Sequence, residues 1–262
     1  MKKIYWLLFG VFFLSAISLQ AQDDDIISPE RPGFTNPPSI VPRKSIQIES
    51  GFYFESDKDK NTNIKTDLFF YPTTLFRYGL LKNVELRLQI DIAGISNSGN
   101  GSASGSVSGL NPVIISTKVY MSKEKKPWPE SAILFALLLP YFSKEELRAE
   151  YPAPIVGFNF ENTLNKKLSL GYTVGLVWNG YDANPKSYIT ISPTYNFTKK
   201  IAGFIELYSF FQNHAVPDDR LDVGLTYTPL KNLQMDVYGG PGIAGPTTNY
   251  FISAGIAFRL PK

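Results

Sequence analysis

The chain contains no cysteine, and this absence removes several kinds of function at once. It excludes disulfides, cysteine nucleophiles, thiolate metal sites and the lipid-bearing cysteine of a lipoprotein. The single histidine, His214, lies in a predicted loop whose neighbours form no serine–histidine–acid pattern. The short acidic runs at 23–25 and 218–219 are too irregular for a calcium loop. We therefore expect no catalytic residue, no metal site and no cofactor.

Charge and long apolar runs are also scarce. Charged residues make up 19% of the chain and aromatic residues 14%, with 19 Phe and 15 Tyr. Beyond the N-terminus no apolar run is long enough for a membrane-spanning helix, and so aromatic a chain is not expected to be disordered. If Lys2 and Lys3 leave with a signal peptide, 24 of the 26 basic residues remain against 23 acidic ones. That balance gives no reason to expect nucleic-acid binding.

The N-terminus is typical of a secretory signal followed by a lead-in. In residues 1–21, two lysines precede an apolar stretch, and Ala21 ends a candidate cleavage site. A transmembrane anchor is the alternative, but the apolar stretch is short and three aspartates follow it at once. Residues 22–43 hold five prolines, which cannot join a sheet ladder. Residues 44–262 then form the barrel domain described next.

From residue 44 onwards the chain repeats one unit, a stretch of alternating side chains followed by a turn. Strands of ~9–11 residues, apolar outward and polar inward, are typical of a transmembrane β-barrel. The sequence therefore predicts an all-β, antiparallel, up-and-down transmembrane barrel of about twelve strands. The candidate strands lie at 44–56, 64–79, 83–95, 111–121, 131–141, 153–164, 167–179, 187–198, 200–212, 219–229, 232–240 and 249–260.

The connections between these strands fall into two alternating classes. One class carries lysine and is mostly short: 81–83, 165–167, 198–200 and 230–232, with a longer member at 122–130. The other is longer and rich in Gly, Ser, Asn or acidic residues: 57–63, 96–110, 142–152, 180–186, 213–218 and 241–248. Short periplasmic turns and long external loops are the pattern of the Gram-negative outer membrane. We expect an even strand number, both termini in the periplasm and outer-membrane lipid around the wall. The sequence does not specify the oligomeric state.

Side-chain parity assigns a face to the charged residues inside strands. Nearly all of them fall on the inward face, which fits a cost of ~2–4 kcal/mol for a charge facing lipid at mid-bilayer. The predicted polar lumen consists of Glu49, Asp67, Arg77, Glu85, Arg87, Asp91, Lys118, Glu161, Glu206, Asp222, Asp236 and Arg259. This mixture of signs is open to two interpretations, a structural salt-bridge network or a polar constriction that selects solutes.

The inward face also contains an apolar patch. Residues 131–141 are apolar on both faces, and parity assigns one of these faces to the lumen together with aromatic residues of other strands. The predicted apolar lumen consists of Phe69, Tyr71, Ile133, Phe135, Leu137, Phe204 and Tyr208. A dry patch of this kind needs a cover, either the lead-in folded inward as a plug or an apolar ligand. The expected plug residues are Glu30, Arg31, Ile40 and Val41.

Three local features depart from a regular barrel. Prolines at 72, 140, 154 and 193 lie in strands or at their ends, where each implies a bulge or kink. The Gly- and Ser-rich tract at 96–110 is of low complexity and is assigned no structure. Residues 145–150 are good helix formers, and the spacing of Ser143 and Glu146 favours a short surface helix.

Two stretches carry a resemblance to a known family. The lead-in PERPGFT at 29–35, followed by VPRK at 41–44 and IQIESG at 46–51, is the first. The second is FRYGL at 76–80 followed by VELR at 84–87. Both resemble a family of bacterial outer-membrane proteins that is named for the meta-pathway of phenol degradation and often labelled a transporter. The resemblance implies a β-barrel that passes small, often apolar or aromatic compounds.

Three hypotheses about function follow. The first is a passive outer-membrane channel for small solutes, including apolar or aromatic compounds, with residues 22–43 as plug or gate. The second is a closed structural or interaction barrel, since about twelve strands leave a narrow interior. The third is a membrane-embedded lipid hydrolase, which would require a role for His214 that its surroundings do not suggest.

Overall fold

The computed structural model describes residues 26–99, 105–213 and 215–260. Within them the chain forms thirteen strands and two single 3-10 turns, at Pro140–Phe142 and Glu145–Leu147. The strands are β1 Ile46–Asp59, β2 Lys65–Gly79, β3 Val84–Ser98, β4 Gly105–Leu110, β5 Val113–Ser122, β6 Glu130–Leu139, β7 Ala153–Thr163, β8 Leu168–Val177, β9 Lys186–Asn196, β10 Ile201–Phe211, β11 Asp218–Leu230, β12 Leu233–Ala244 and β13 Thr247–Arg259. The signal peptide prediction and His214 lie outside the described residues.

These strands close into a barrel with twelve positions. All strand pairings are antiparallel, and most join strands that are consecutive in the chain. β1 pairs with β13 to close the wall. Strands β4 and β5 both pair with β3, β4 along residues 92–97 and β5 along 84–89. They therefore occupy one position that is interrupted at Asn111 and Pro112. The prediction of a twelve-stranded up-and-down barrel is confirmed, and the tract at 96–110 supplies the end of β3 and all of β4.

Alternation along each strand separates a lipid face from a lumen face. On β10, Ile205 and Leu207 are exposed, whereas Phe204, Glu206 and Tyr208 are buried. In a membrane barrel the exposed apolar residues face lipid, and the buried residues face the interior. Among the described residues, no helix is long and apolar enough to cross a membrane.

One bulge reverses this alternation in the outer half of β2, and it overturns three predictions. Relative to both neighbours, β2 has one extra residue at positions 71–72, where Pro72 cannot donate to the ladder. Beyond the bulge, Phe69 and Tyr71 are exposed on the lipid face, and Phe70 turns inward. Asp67 shares the face of Phe69, with its carboxylate 2.8 Å from Lys65 Nζ. The predicted inward positions of Asp67, Phe69 and Tyr71 are wrong.

A second error concerns β6, the strand that is apolar on both faces. Ala132 pairs with Asn159, and Leu134 pairs with Lys118; both partners are fully buried in the lumen. The even-numbered residues of β6 therefore point inward. The predicted lumen residues Ile133, Phe135 and Leu137 face lipid instead, and Phe135 is 45% exposed. When neither face of a strand is polar, the sequence does not show which face points inward. A register shift of one residue then moves every side chain to the opposite face.

The structure also tests the predicted surface helix and two of the predicted proline irregularities. The expected surface helix in 145–150 is a single 3-10 turn, Glu145–Leu147. Pro140 begins the preceding 3-10 turn. Pro193, by contrast, pairs with Leu170 in an unbroken register, so no bulge occurs there.

Candidate functional site

The described part of the lead-in, residues 26–43, runs inside the barrel, and we call this segment the plug. It begins beside the β11–β12 turn, where the Ile27 amide donates to the Lys231 carbonyl at 2.7 Å. It ends against Gly79 on β2, before the chain turns into β1. A Cβ at Gly79 would lie 2.1 Å from the Pro42 carbonyl oxygen, so glycine is required for the plug to pass this close to the wall.

Glu30 attaches the plug to three strands through ion pairs. Its carboxylate lies 2.5 Å from Lys118 Nζ on β5. It also lies 3.3 Å from Nη2 of Arg77 on β2 and 3.3 Å from Nη2 of Arg87 on β3. Burial alone would raise the pKa of the Glu30 carboxyl, but the three cations outweigh burial and lower that pKa to about 2. The carboxylate therefore stays charged inside the barrel.

Two wall carboxylates extend this cluster to the plug backbone. Arg77 places Nη1 2.8 Å from Glu49 and Nη2 2.9 Å from Glu85. Glu49 accepts a hydrogen bond from the Glu30 amide at 2.9 Å, and Glu85 accepts one from the Val41 amide at 2.7 Å. Wall and plug thus share one set of buried charges, which we call the anchor: Glu30, Glu49, Arg77, Glu85, Arg87 and Lys118.

The lowered pKa of Glu30 predicts how stability depends on pH. A carboxyl with a depressed pKa adds stability above its unfolded value, here 4.5, and loses it as the pH falls towards about 2. The difference in unfolding free energy between the wild type and Glu30→Gln should therefore shrink as the pH falls from 4.5 towards about 2. Urea unfolding in detergent, followed by tryptophan fluorescence, measures it. A difference that is independent of pH down to 2 would contradict the ion pairs of Glu30.

Arg31 holds the plug on the strands next to the anchor, β1, β13 and β12. Its Nη2 donates to Asp236 at 3.1 Å and to Ser253 Oγ at 2.9 Å. The guanidinium lies against Gly51 and Gly255, which pair directly across β1 and β13. A Cβ at Gly51 would come within 2.6 Å of the guanidinium, and one at Gly255 within 2.3 Å. The two glycines therefore form the seat that admits Arg31.

Residues 33–36 of the plug form a tip, which contacts the wall through hydrogen bonds and ring stacking. Glu206 accepts hydrogen bonds from the amides of Phe34 at 2.7 Å and Thr35 at 2.6 Å. Thr35 Oγ1 donates to Thr190 Oγ1 at 2.6 Å, and the Phe34 ring stacks on Tyr208 at 4.5 Å. Unlike the anchor, these tip contacts include no ion pair among the bridges that the structure describes.

A cavity lies on each side of this tip. One, of about 310 Å³, opens towards the termini and is lined by Thr35 and by Ser192 and Thr194 of the wall. The other, of about 640 Å³, opens towards the long loops and is lined by Phe34. Phe34 borders one cavity, Thr35 borders the other, and Arg31 lines both, so the tip and Arg31 together form the partition between them.

The larger cavity combines rings with balanced charge. Its aromatic lining consists of Phe34, Tyr53, Phe70, Phe210, Phe211 and Tyr238. Its charged lining consists of Arg31, Lys186, Arg220, Glu55, Asp91 and Asp218. Arg220 Nη1 lies 2.6 Å from Glu55, so part of this charge is already paired. Equal numbers of the two signs produce little net field for steering ions of either sign.

Most of the site residues that the sequence predicts line the lumen. The structure brings Glu30, Arg77, Glu85, Arg87, Lys118 and Glu49 into the anchor, and Arg31 onto Asp236. Glu206, Phe204 and Tyr208 line the lumen near the tip, and Glu206 faces Asp222 across β10 and β11. Asp91 lines the larger cavity and Glu161 the smaller one, whereas Arg259 is buried elsewhere and Ile40 is partly buried. Sequence reasoning missed Phe34, Thr173, Thr190 and Arg220.

The chain matches one known protein family over almost all of its described length. A family profile described as "Putative MetA-pathway of phenol degradation" matches residues 30–260, nearly the whole described chain. The chain belongs to this family. The match begins at Glu30, so it spans most of the plug as well as the wall. A search of curated proteins finds no match.

Solved structures of similar shape are barrels of the outer membrane. A COG4313 outer membrane channel from Pseudomonas putida F1 superposes with a TM-score of 0.72 at 10% identity, covering 88% of this chain and 99% of that one. The KdgM porin, solved with oligogalacturonate, gives 0.52 at 12% identity over 80% and 98%. The β domain of the Bordetella autotransporter BrkA gives 0.56 at 10% identity over 83% and 100%. These neighbours are a channel, a porin and a secretion domain, not enzymes, and at such identity they show the fold alone.

Proposed function

We propose that this protein is a passive outer-membrane channel for small solutes, gated where the plug tip meets the wall. The observation that carries the proposal is the partition itself. Cavities of about 640 Å³ and 310 Å³ approach from opposite ends of the barrel, and residues 33–36 lie between them together with Arg31. Displacing this short segment joins two existing cavities, whereas displacing the whole plug would also break the anchor.

The difference between the two attachments supports local opening. Glu30 is held by three cations, and removing one partner from a buried ion pair typically costs about 3–5 kcal/mol. The tip is held without an ion pair, by hydrogen bonds of about 1–3 kcal/mol each, two of them to Glu206. The Phe34 ring adds contacts with Tyr208 and Phe251 of about 1 kcal/mol each. Gly33 has φ +91° beside the Glu206 carboxylate, a conformation that a glycine adopts readily. Residues 33–36 can thus move while Glu30 stays in place.

The lining indicates the class of solute. Six aromatic residues line the larger cavity, and its six charged residues balance in sign. We propose that small uncharged solutes, including apolar or aromatic compounds, pass through it.

Both termini lie at the periplasmic end in this proposal, and the long loops face outside. No enzymatic activity, cofactor or metal is part of it. In the described residues no cluster of His, Cys, Asp or Glu is suited to hold a metal ion.

Conductance of the purified barrel in planar lipid bilayers tests the proposal. We expect discrete conductance steps with little preference for cations or anions, because charges of both signs line the path. A variant without residues 26–43 should conduct several-fold more, since the partition is gone. Liposome swelling with neutral solutes provides the matching flux measurement.

Two outcomes oppose the proposal. Absence of conductance and of solute flux in both the wild type and the variant without residues 26–43 would favour the closed interaction barrel. Strong selectivity for one sign of ion would contradict the neutral path. The anchor is the observation that favours the closed barrel, because its buried ion pairs fill part of the lumen. The two cavities favour the channel.

A further inference from the structure

The turns at the end of the barrel that carries the termini are strongly basic. Lys82 lies between β2 and β3, Lys166 and Lys167 between β7 and β8, and Lys199 and Lys200 between β9 and β10, all exposed. The longest of these turns, between β5 and β6, adds three further lysines, and its one acidic residue is Glu124. The loops at the opposite end mix both signs, as in the run from Asp57 to Lys60 and at 144–150. Positive charge is therefore concentrated at one end.

These lysines lie directly next to side chains that face lipid. Leu81 precedes Lys82, Phe197 lies two residues before Lys199, and Leu164 lies two residues before Lys166. Each of the three apolar residues is about half exposed: 49%, 52% and 50%. Aromatic and large apolar residues at strand ends mark the level of the lipid headgroups. A lysine one or two residues further along places its ammonium group among those headgroups.

We infer that this end of the barrel binds anionic phospholipid headgroups of the surrounding leaflet. The basic turns are spread around the circumference, from β2–β3 to β9–β10, rather than gathered on one side. A ring of this shape matches a surrounding lipid layer, whereas a protein partner would contact one sector. Lysine ammonium groups bind phosphate as flexible point charges, which suits mobile headgroups. The inference rests on the membrane location in the proposed function but not on conductance.

Spin-labelled lipids test this surface directly. The protein is reconstituted in phosphatidylcholine vesicles that contain a trace of spin-labelled phosphatidylglycerol or spin-labelled phosphatidylcholine. Electron spin resonance then measures the fraction of each label held at the protein. We expect a preference for phosphatidylglycerol on the order of threefold, which 1 M NaCl suppresses. Replacing Lys82, Lys166, Lys167, Lys199 and Lys200 with Gln should reduce the preference clearly, and the lysines between β5 and β6 account for what remains.

A matched variant at the other end serves as the control. Lys58→Gln, Lys60→Gln and Lys144→Gln remove basic charge from the long loops and should leave the preference unchanged. Equal retention of the two labelled lipids by the wild type overturns the inference, as does a preference that is undiminished in the five-Gln variant. If that variant does not fold, the salt dependence of the wild type decides, because a preference that persists in 1 M NaCl is not electrostatic. A barrel that selects this lipid yet does not conduct would refute the channel and leave the lipid surface standing.

Discussion

Replacing Arg77 with Ala should destabilise the barrel by about 3–5 kcal/mol, the cost of leaving a buried charge without its partner. The Arg77 side chain is 0% exposed and lies within 3.3 Å of Glu30, Glu49 and Glu85. Its loss leaves three buried carboxylates with only Lys118 and Arg87 to balance them. The free energy of unfolding from urea titration in detergent measures the effect.

An exposed ion pair is the matched control for this prediction. Lys65 lies 2.8 Å from Asp67, close to the anchor distances, but its side chain is 45% exposed. Lys65→Ala should cost less than about 1 kcal/mol, because water screens such a pair. If Arg77→Ala and Lys65→Ala cost the same, the anchor does not hold the lumen together as described.

The strands were predictable because lipid imposes a simple rule on them. On β8, apolar outward residues alternate with mostly small or polar inward ones, so its limits and faces follow from the sequence. On β6 the rule fails, since both faces are mostly apolar and either parity satisfies the lipid. On β2 it fails because the extra residue at the Tyr71–Pro72 position changes parity in the middle of the strand. Proline signalled that bulge, but Pro193 shows that the same signal does not always produce one.

The anchor was predictable in its members and not in its geometry. Parity placed Arg77, Glu85 and Lys118 on the inward face, and the lead-in sequence singled out Glu30. Their meeting depends on how far neighbouring strands are shifted along one another, which alternation does not record. Lys118 and Glu30 are 88 residues apart in the chain. The tip was missed because Phe34 and Thr35 lie in a segment with no periodicity to interpret.

A disulfide across the tip should close the channel. The hydroxyl oxygens of Thr35 and Thr190 are 2.6 Å apart, and the native chain has no cysteine to interfere. Cysteines at both positions can therefore be oxidised to tether the tip to β9. Because the solute path requires the tip to leave the wall, conductance should fall to the closed level on oxidation and return on reduction.

Two pairs of nearly the same separation are available as controls. Ser28 and Ser39 place their hydroxyl oxygens 2.7 Å apart within the plug, and Ser122 and Ser131 do so at 2.7 Å within the wall. The first disulfide joins two parts of the plug without tethering it, and the second does not touch it. Conductance of both double-cysteine variants should be the same when oxidised and when reduced. A loss in either control would show that oxidation itself impairs the barrel.

The most direct measurement of the central claim is the conductance of T35C/T190C in a planar bilayer, recorded before and after a reductant is added. Movement of residues 33–36 between the two cavities predicts a closed channel that reopens on reduction, while Glu30 stays in its anchor. Conductance at the wild-type level in the oxidised protein would contradict this account, because solutes would then cross without displacing the tip.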